Sequence, residues 1–113
     1  MSCLFCKIVA REIPAKIVLE NEHVLAFADV NPQAPKHFLV IPKMHLKGIH
    51  EATAEHAAML GQVMLAARNV AEENGLADSG YRLVVNNGAD AGQSVHHLHM
   101  HVIGGRPLAW PPG

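Results

Sequence analysis

The chain has 113 residues, half of them hydrophobic and 17% charged, which suits one globular domain over residues 1–113 and leaves no room for two. A formal net charge of -1 and a pI of about 6.7 exclude a broadly basic face for nucleic-acid backbone, although a small phosphate ligand needs only local donors. No run approaches the ~18 apolar residues of a membrane-spanning helix and no charged-then-apolar leader opens the chain, so a cytoplasmic protein with no membrane or nucleic-acid partner is expected.

Cys3 and Cys6 form a single C-x-x-C. In a reducing compartment this spacing suits a metal half-site or a redox pair better than a structural disulfide. Residues 4–13 space their apolar side chains for a short helix, ended by Pro14. Residues 16–20 and 23–29 read as two strands of a hairpin turning at Glu20-Asn21-Glu22. Asn31-Pro32-Gln33-Ala34-Pro35 is a rigid loop, because its two prolines cannot join a sheet ladder. Phe38-Leu39-Val40-Ile41 is a buried strand stopped by Pro42.

Thr53 is placed to cap the one long helix. Ala57, Leu60, Val63, Met64, Ala67, Val70 and Ala71 then recur at three- and four-residue steps, a core-facing stripe that ends at Gly75. Residues 81–86 form a fourth strand, a glycine-bearing loop follows over 87–94, and residues 96–103 form a fifth. The tail from Gly104 to Gly113 is irregular. This order predicts an α+β fold: a five-stranded antiparallel sheet, one long helix and a short N-terminal helix, with the helices on one face.

Nine histidines accompany one Tyr and one Trp, and their positions carry the argument. Alternation along a strand puts His97, His99 and His101 on one face, about 6.6 Å apart per two-residue step, with Leu98, Met100 and Val102 on the other. Each imidazole carries polar nitrogens to satisfy, so three in a row are costly as mere packing. Two chemistries suit them. H-x-H can offer ligands to zinc. Alternatively, a neutral imidazole can attack phosphorus and leave again, provided its other nitrogen carries the proton. Gly92-Gln93-Ser94, just ahead, could turn backbone N–H groups and a hydroxyl toward an anion.

His97-Leu98-His99-Met100-His101-Val102-Ile103 resembles the signature of the histidine triad (HIT) family. Further segments resemble its Hint branch: Arg11-Glu12-Ile13-Pro14, Asn31-Pro32-Gln33-Ala34-Pro35-Lys36-His37, Val40-Ile41-Pro42-Lys43, Asn86, Gly92-Gln93-Ser94, Gly104-Gly105-Arg106-Pro107 and Trp110-Pro111-Pro112-Gly113. The resemblance implies a HIT-like fold and a homodimer whose sheets join. It implies a hydrolase of purine nucleoside phosphoramidates, of the AMP-amine type, acting through a nucleotidyl-histidine intermediate. His99 would be the nucleophile, with His97, His101, His37 and Ser94 completing the catalytic set. Asp29 would bind the ribose. Phe5, Ile8, Ile13, Phe27 and Val30 would line the base pocket, and Asn86, Gly92, Gln93, Ser94, His99 and His101 would surround the phosphate.

Two features depart from that branch. A tyrosine often precedes the triad, where this chain has His96, predicted to point away from it. Other HIT relatives carry a C-x-x-C that joins two histidines around structural zinc. The matching residues are Cys3, Cys6, His45 and His97, a closed Cys2His2 set needing no part in catalysis. Three further functions stand beside the phosphoramidase: hydrolysis of dinucleoside polyphosphates, a nucleotide-binding regulatory module, and a zinc hydrolase using the triad as ligands, which EDTA would silence.

Overall fold

Five strands, Ile17–Glu20 (β1), Val24–Ala28 (β2), Lys36–Pro42 (β3), Tyr81–Val84 (β4) and Met100–Gly104 (β5), pair antiparallel into one sheet of order β1-β2-β3-β5-β4. The structure is a computed structural model and describes residues 3–113. A short helix, Leu4–Val9 (α1), precedes the sheet, and one long helix, Ala57–Glu73 (α2), connects β3 to β4. The α+β architecture is the one the sequence predicts.

The helices do not share a face. Val24, Ala26, Phe38, Val40, Met100 and Val102 pack on α2, while Leu25, Phe27, Leu39 and Ile41 pack on Phe5 and Ile8 of α1. The apolar runs of β2 and β3 explain this: strands buried on both sides need cover on both sides. The site therefore lies on the α1 face.

The stripe of α2 is also rotated from the predicted one. Val63, Ala66, Ala67, Val70 and Ala71 are buried, whereas Met64 is 51% and Leu65 54% exposed. Small alanines let the helix lie close on the sheet, which leaves Met64 at the edge of the buried arc. Thr53 caps a 3₁₀ turn, Ala54–His56, that runs directly into α2. Gly75, with φ of 78°, closes its end: the Leu76 N–H donates to the Ala71 carbonyl at 2.9 Å, and the Gly75 N–H to that of Glu72 at 3.3 Å.

The first helix stops short of Pro14. Arg11 takes a left-handed φ of 64°, while its N–H donates to the Ile8 carbonyl and that of Glu12 to Lys7, the same closing pattern without glycine. β5 likewise begins at Met100 rather than His96. Pro42, at the end of β3, has no N–H to extend the ladder, and the Leu98 N–H donates instead to the Leu46 carbonyl at 2.7 Å. β4 ends at Val84, two residues before the predicted limit. Among the described residues no helix is long and apolar enough to cross a membrane.

Candidate active site

Alternation persists beyond the end of β5. His99 and His101 lie on the α1 face with ring centroids 5.1 Å apart, and Phe5 of α1 meets His99 edge-on at 5.2 Å. His99 is 5% exposed. Its Nδ1 lies 2.7 Å from the backbone oxygen of His97. A carbonyl only accepts, so Nδ1 carries the proton and Nε2 keeps a bare lone pair.

A second chain of hydrogen bonds fixes His101. The Gln33 backbone N–H donates to His37 Nδ1 at 3.0 Å, which leaves the His37 proton on Nε2. That nitrogen is 2.8 Å from His101 Nδ1 and 3.3 Å from Asp29 Oδ2. His101 Nδ1 therefore accepts, and its own proton sits on Nε2. Burial pushes His101 down to about 4, helped by His99 and His37 and opposed by the Asp29 carboxylate. Burial also lowers His97. A neutral His101 at ordinary pH is what this tautomer chain requires.

These histidines edge a cavity of about 370 Å³. Its walls include the predicted Phe5, Ile8, Ile13, Phe27, Asp29, Val30, Ser94, His99 and His101, with Val30 an exposed rim residue. Leu4, Pro14, Ala15, Ala28, Leu39 and Val95 complete the lining and were not predicted. Leu39 was accessible from the pattern, because it sits two residues from His37 on the same face and pairs with His101. Apolar walls around a few convergent polar groups are the usual build of a small-molecule site.

Three of the residues expected to surround the nucleotide, Asn86, Gly92 and Gln93, do not line this cavity, and neither do His37 and His97, which stand behind it. Gln93 spends its amide on the loop: Oε1 accepts from the Gly88 N–H, and Nε2 donates to the carbonyls of Lys47 and Val95. Gly92, with φ of 79°, turns that loop. Asn86 lines a separate cavity with Gln33, Arg82, Ile103 and Arg106. A wider, open cleft of about 640 Å³ shares Leu4, Ser94 and Val95 with the histidine cavity and continues past Cys3, His45, Lys47, Glu51 and the exposed His96.

Cys3, Cys6, His45 and His97 come together as a second cluster. His97, fully buried, donates through Nε2 to the Pro42 carbonyl at 2.9 Å, so its Nδ1 is bare. That nitrogen lies 3.1 Å from His45 Nδ1, 3.4 Å from Cys3 Sγ and 3.5 Å from Cys6 Sγ, and Cys6 Sγ is 3.3 Å from His45 Nδ1. A tetrahedron built on ordinary zinc–nitrogen and zinc–sulfur bonds has edges of roughly 3.3–3.8 Å. Donor types and spacing thus fit a metal ion. Burial, with the neighbouring Cys3 thiol, pushes Cys6 up to about 11, a proton that a cation must displace. Asp29, His37 and His101 also lie close together, but the hydrogen bonds above account for them.

The chain matches the family model of the HIT domain over residues 10–108. It is 56% identical over 110 residues to an uncharacterized HIT-like protein of Synechocystis sp., covering 97% of this chain and 96% of that one. It is 49% identical over 112 residues to a 14 kDa zinc-binding protein of Zea mays, covering 97% and 87%. Among solved structures, a HIT family hydrolase from Legionella pneumophila superposes with a TM-score of 0.97 at 46% identity, over 99% of this chain and 100% of that one.

Proposed function

The chain belongs to the HIT-domain family, and on that premise we propose that it is a purine-nucleotide hydrolase of the Hint branch, cleaving nucleoside phosphoramidates through a nucleotidyl-His99 intermediate. The observation that carries this reading is the bare Nε2 of His99, held by the 2.7 Å hydrogen bond from Nδ1 to the His97 carbonyl. The Legionella relative is named a hydrolase, and the Gly104-Gly105-Arg106-Pro107 and Trp110-Pro111-Pro112-Gly113 tail supports the Hint branch over its dinucleoside-polyphosphate relatives.

Purine stacks between the apolar walls at Phe5, Ile8, Ile13, Phe27 and Val30, and Asp29 receives the ribose hydroxyls. His99 Nε2 attacks phosphorus as the phosphorus–nitrogen bond to the leaving amine breaks. The amine takes up one proton. Water then attacks phosphorus, the bond to Nε2 breaks, and the proton water gives up restores the balance, so one water is consumed per turnover. His101 Nε2–H and Ser94 stabilise charge on the phosphoryl oxygens; one such donor is worth about 3–4 kcal/mol in other enzymes. Asn86 joins them only if it moves from the cavity it lines here, and Gln93 serves as a brace for the loop that carries Ser94.

Cys3, Cys6, His45 and His97 would hold zinc, all four positions being filled by protein, and the ion would supply cross-linking rather than an open site for water. The zinc-binding name of the maize relative supports this assignment. Two exposed features support a homodimer: β4 is an edge strand, and Met64 and Leu65 stand on the outer side of α2. Trp110, 80% exposed, is free to reach a second copy's cavity.

Parallel turnover assays on adenosine 5′-phosphoramidate and a diadenosine polyphosphate test the reading. Faster cleavage of the phosphoramidate supports it. Preference for the polyphosphate moves the assignment to the alternative hydrolase, and AMP binding with no cleavage of either makes the protein a regulatory module.

A further inference from the structure

The nucleophile stands on backbone that the sheet does not hold. Ladder pairing begins at Met100, and of residues 97–99 only Leu98 has its N–H tied to neighbouring backbone, at Leu46. Yet the carbonyl that fixes His99 belongs to this segment, at His97. A peptide carbonyl free to swing by tens of degrees would release Nδ1–H, and the imidazole would then sample both tautomers. Something other than the sheet must keep the His97 peptide still.

His97 is the residue the Cys/His cluster grips. Its ring is held at one end by the Pro42 carbonyl, at 2.9 Å, and at the other by the bare Nδ1 facing Cys3, Cys6 and His45. The two cysteines also bracket Phe5 on α1, whose ring meets His97 at 6.0 Å and His99 at 5.2 Å. A ligand clamp on the His97 side chain thus fixes both the carbonyl below His99 and the aromatic wall beside it.

We propose that Cys3, Cys6 and His45 are positioning residues for catalysis: by clamping His97 through a shared metal ion, they hold the carbonyl that keeps His99 in its Nδ1–H tautomer. The inference rests on His99 being the nucleophile and goes further, since it gives a cluster remote from the reacting atoms a measurable effect on the nucleophile's protonation pattern.

The test reads the tautomer directly and needs no substrate. Two-dimensional 15N–1H spectra of the histidine side chains are recorded for zinc-loaded wild type, for Cys6→Ser, and for Cys6→His, which retains a ligand. Wild type and Cys6→His should show His99 with its proton on Nδ1 alone, while Cys6→Ser shows averaging between tautomers. Turnover of an AMP phosphoramidate should fall about 10- to 100-fold in Cys6→Ser, the scale of outer partners that orient a histidine, and recover in Cys6→His. If Cys6→Ser does not fold, wild type stripped by a chelator below its melting transition takes its place. An unchanged His99 tautomer in the stripped or Cys6→Ser protein overturns the proposal. Should His99 instead prove not to be the nucleophile, the tautomer would still respond while turnover did not, which separates failure of the reaction assignment from failure of this one.

Discussion

His37 Nε2 lies 2.8 Å from His101 Nδ1, and the backbone N–H of Gln33 holds the far side of the His37 ring at 3.0 Å. A main-chain amide thus dictates, through two imidazoles, which nitrogen of His101 carries its proton. His37→Ala should leave His101 free to take either tautomer and lower kcat/KM about 10- to 100-fold. Steady-state kinetics, with AMP affinity measured alongside, would check it; a loss confined to KM would mean that His37 serves binding alone.

Stability should depend on pH through His101. Its folded value of about 4 lies below the ordinary histidine value of 6.5. Between these limits the unfolded chain binds more protons than the folded one, so stability rises with pH across that window. The contribution is fully present above about pH 6.5 and is lost as pH falls toward 4. Melting curves from pH 7 to 4 should show the decline, and His101→Gln should flatten it.

Asp29 lines the cavity at the proposed ribose position and also meets His37. Its Oδ1 accepts from the Asn31 N–H at 2.8 Å, and Oδ2 lies 3.3 Å from His37 Nε2. Replacing AMP by a nucleotide without its 2′- and 3′-hydroxyls should cost wild type about 1–3 kcal/mol of binding, the scale of hydrogen bonds to a charged group. Asp29→Asn should reduce that penalty by half or more. Calorimetric titration of the four combinations gives the coupling, and equal penalties in both proteins would remove Asp29 from the ribose site.

The Cys2His2 cluster predicts one zinc per chain by elemental analysis and less than a tenth of that in His45→Ala. Stripping a tightly held ion should lower Tm by roughly 10–20 °C, following the mass-action stabilisation a ligand in large excess of its Kd provides. A Tm indifferent to chelation would mean that the thiols and imidazoles hold one another without metal.

Leu65, 54% exposed beside Met64 on α2, gives a test of the proposed dimer. Leu65→Glu should convert a dimer to a monomer in light scattering while leaving the far-ultraviolet circular dichroism unchanged. A wild-type protein that is already monomeric and fully active would contradict both the dimer and the role of Trp110.

Much of this architecture is legible in short-range patterns. Alternation in His97-Leu98-His99-Met100-His101 places the histidines on the α1 face even though the ladder covers only its second half, and Phe5 of α1 meets both His97 and His99 edge-on. The four residues of the Cys/His cluster are nameable from sequence only by resemblance, since His45 and His97 are 52 residues apart. Features that depend on long-range competition are not legible. The stripe counted on α2 includes Met64, but the sheet beneath selects Ala66 and turns Met64 outward. Gln93 reads as a phosphate donor beside Ser94, yet three groups of its own surroundings take its amide first. The Gln33 N–H that orients His37 leaves no side-chain signal at all.

Intact-mass spectrometry during a single turnover of an AMP phosphoramidate tests the central claim most directly. Wild type should carry a transient nucleotidyl adduct that decays as AMP appears, and His99→Ala should form no adduct and lose turnover. Undiminished turnover in His99→Ala, or an adduct that persists on another residue, would contradict the assignment of His99 Nε2 as the nucleophile.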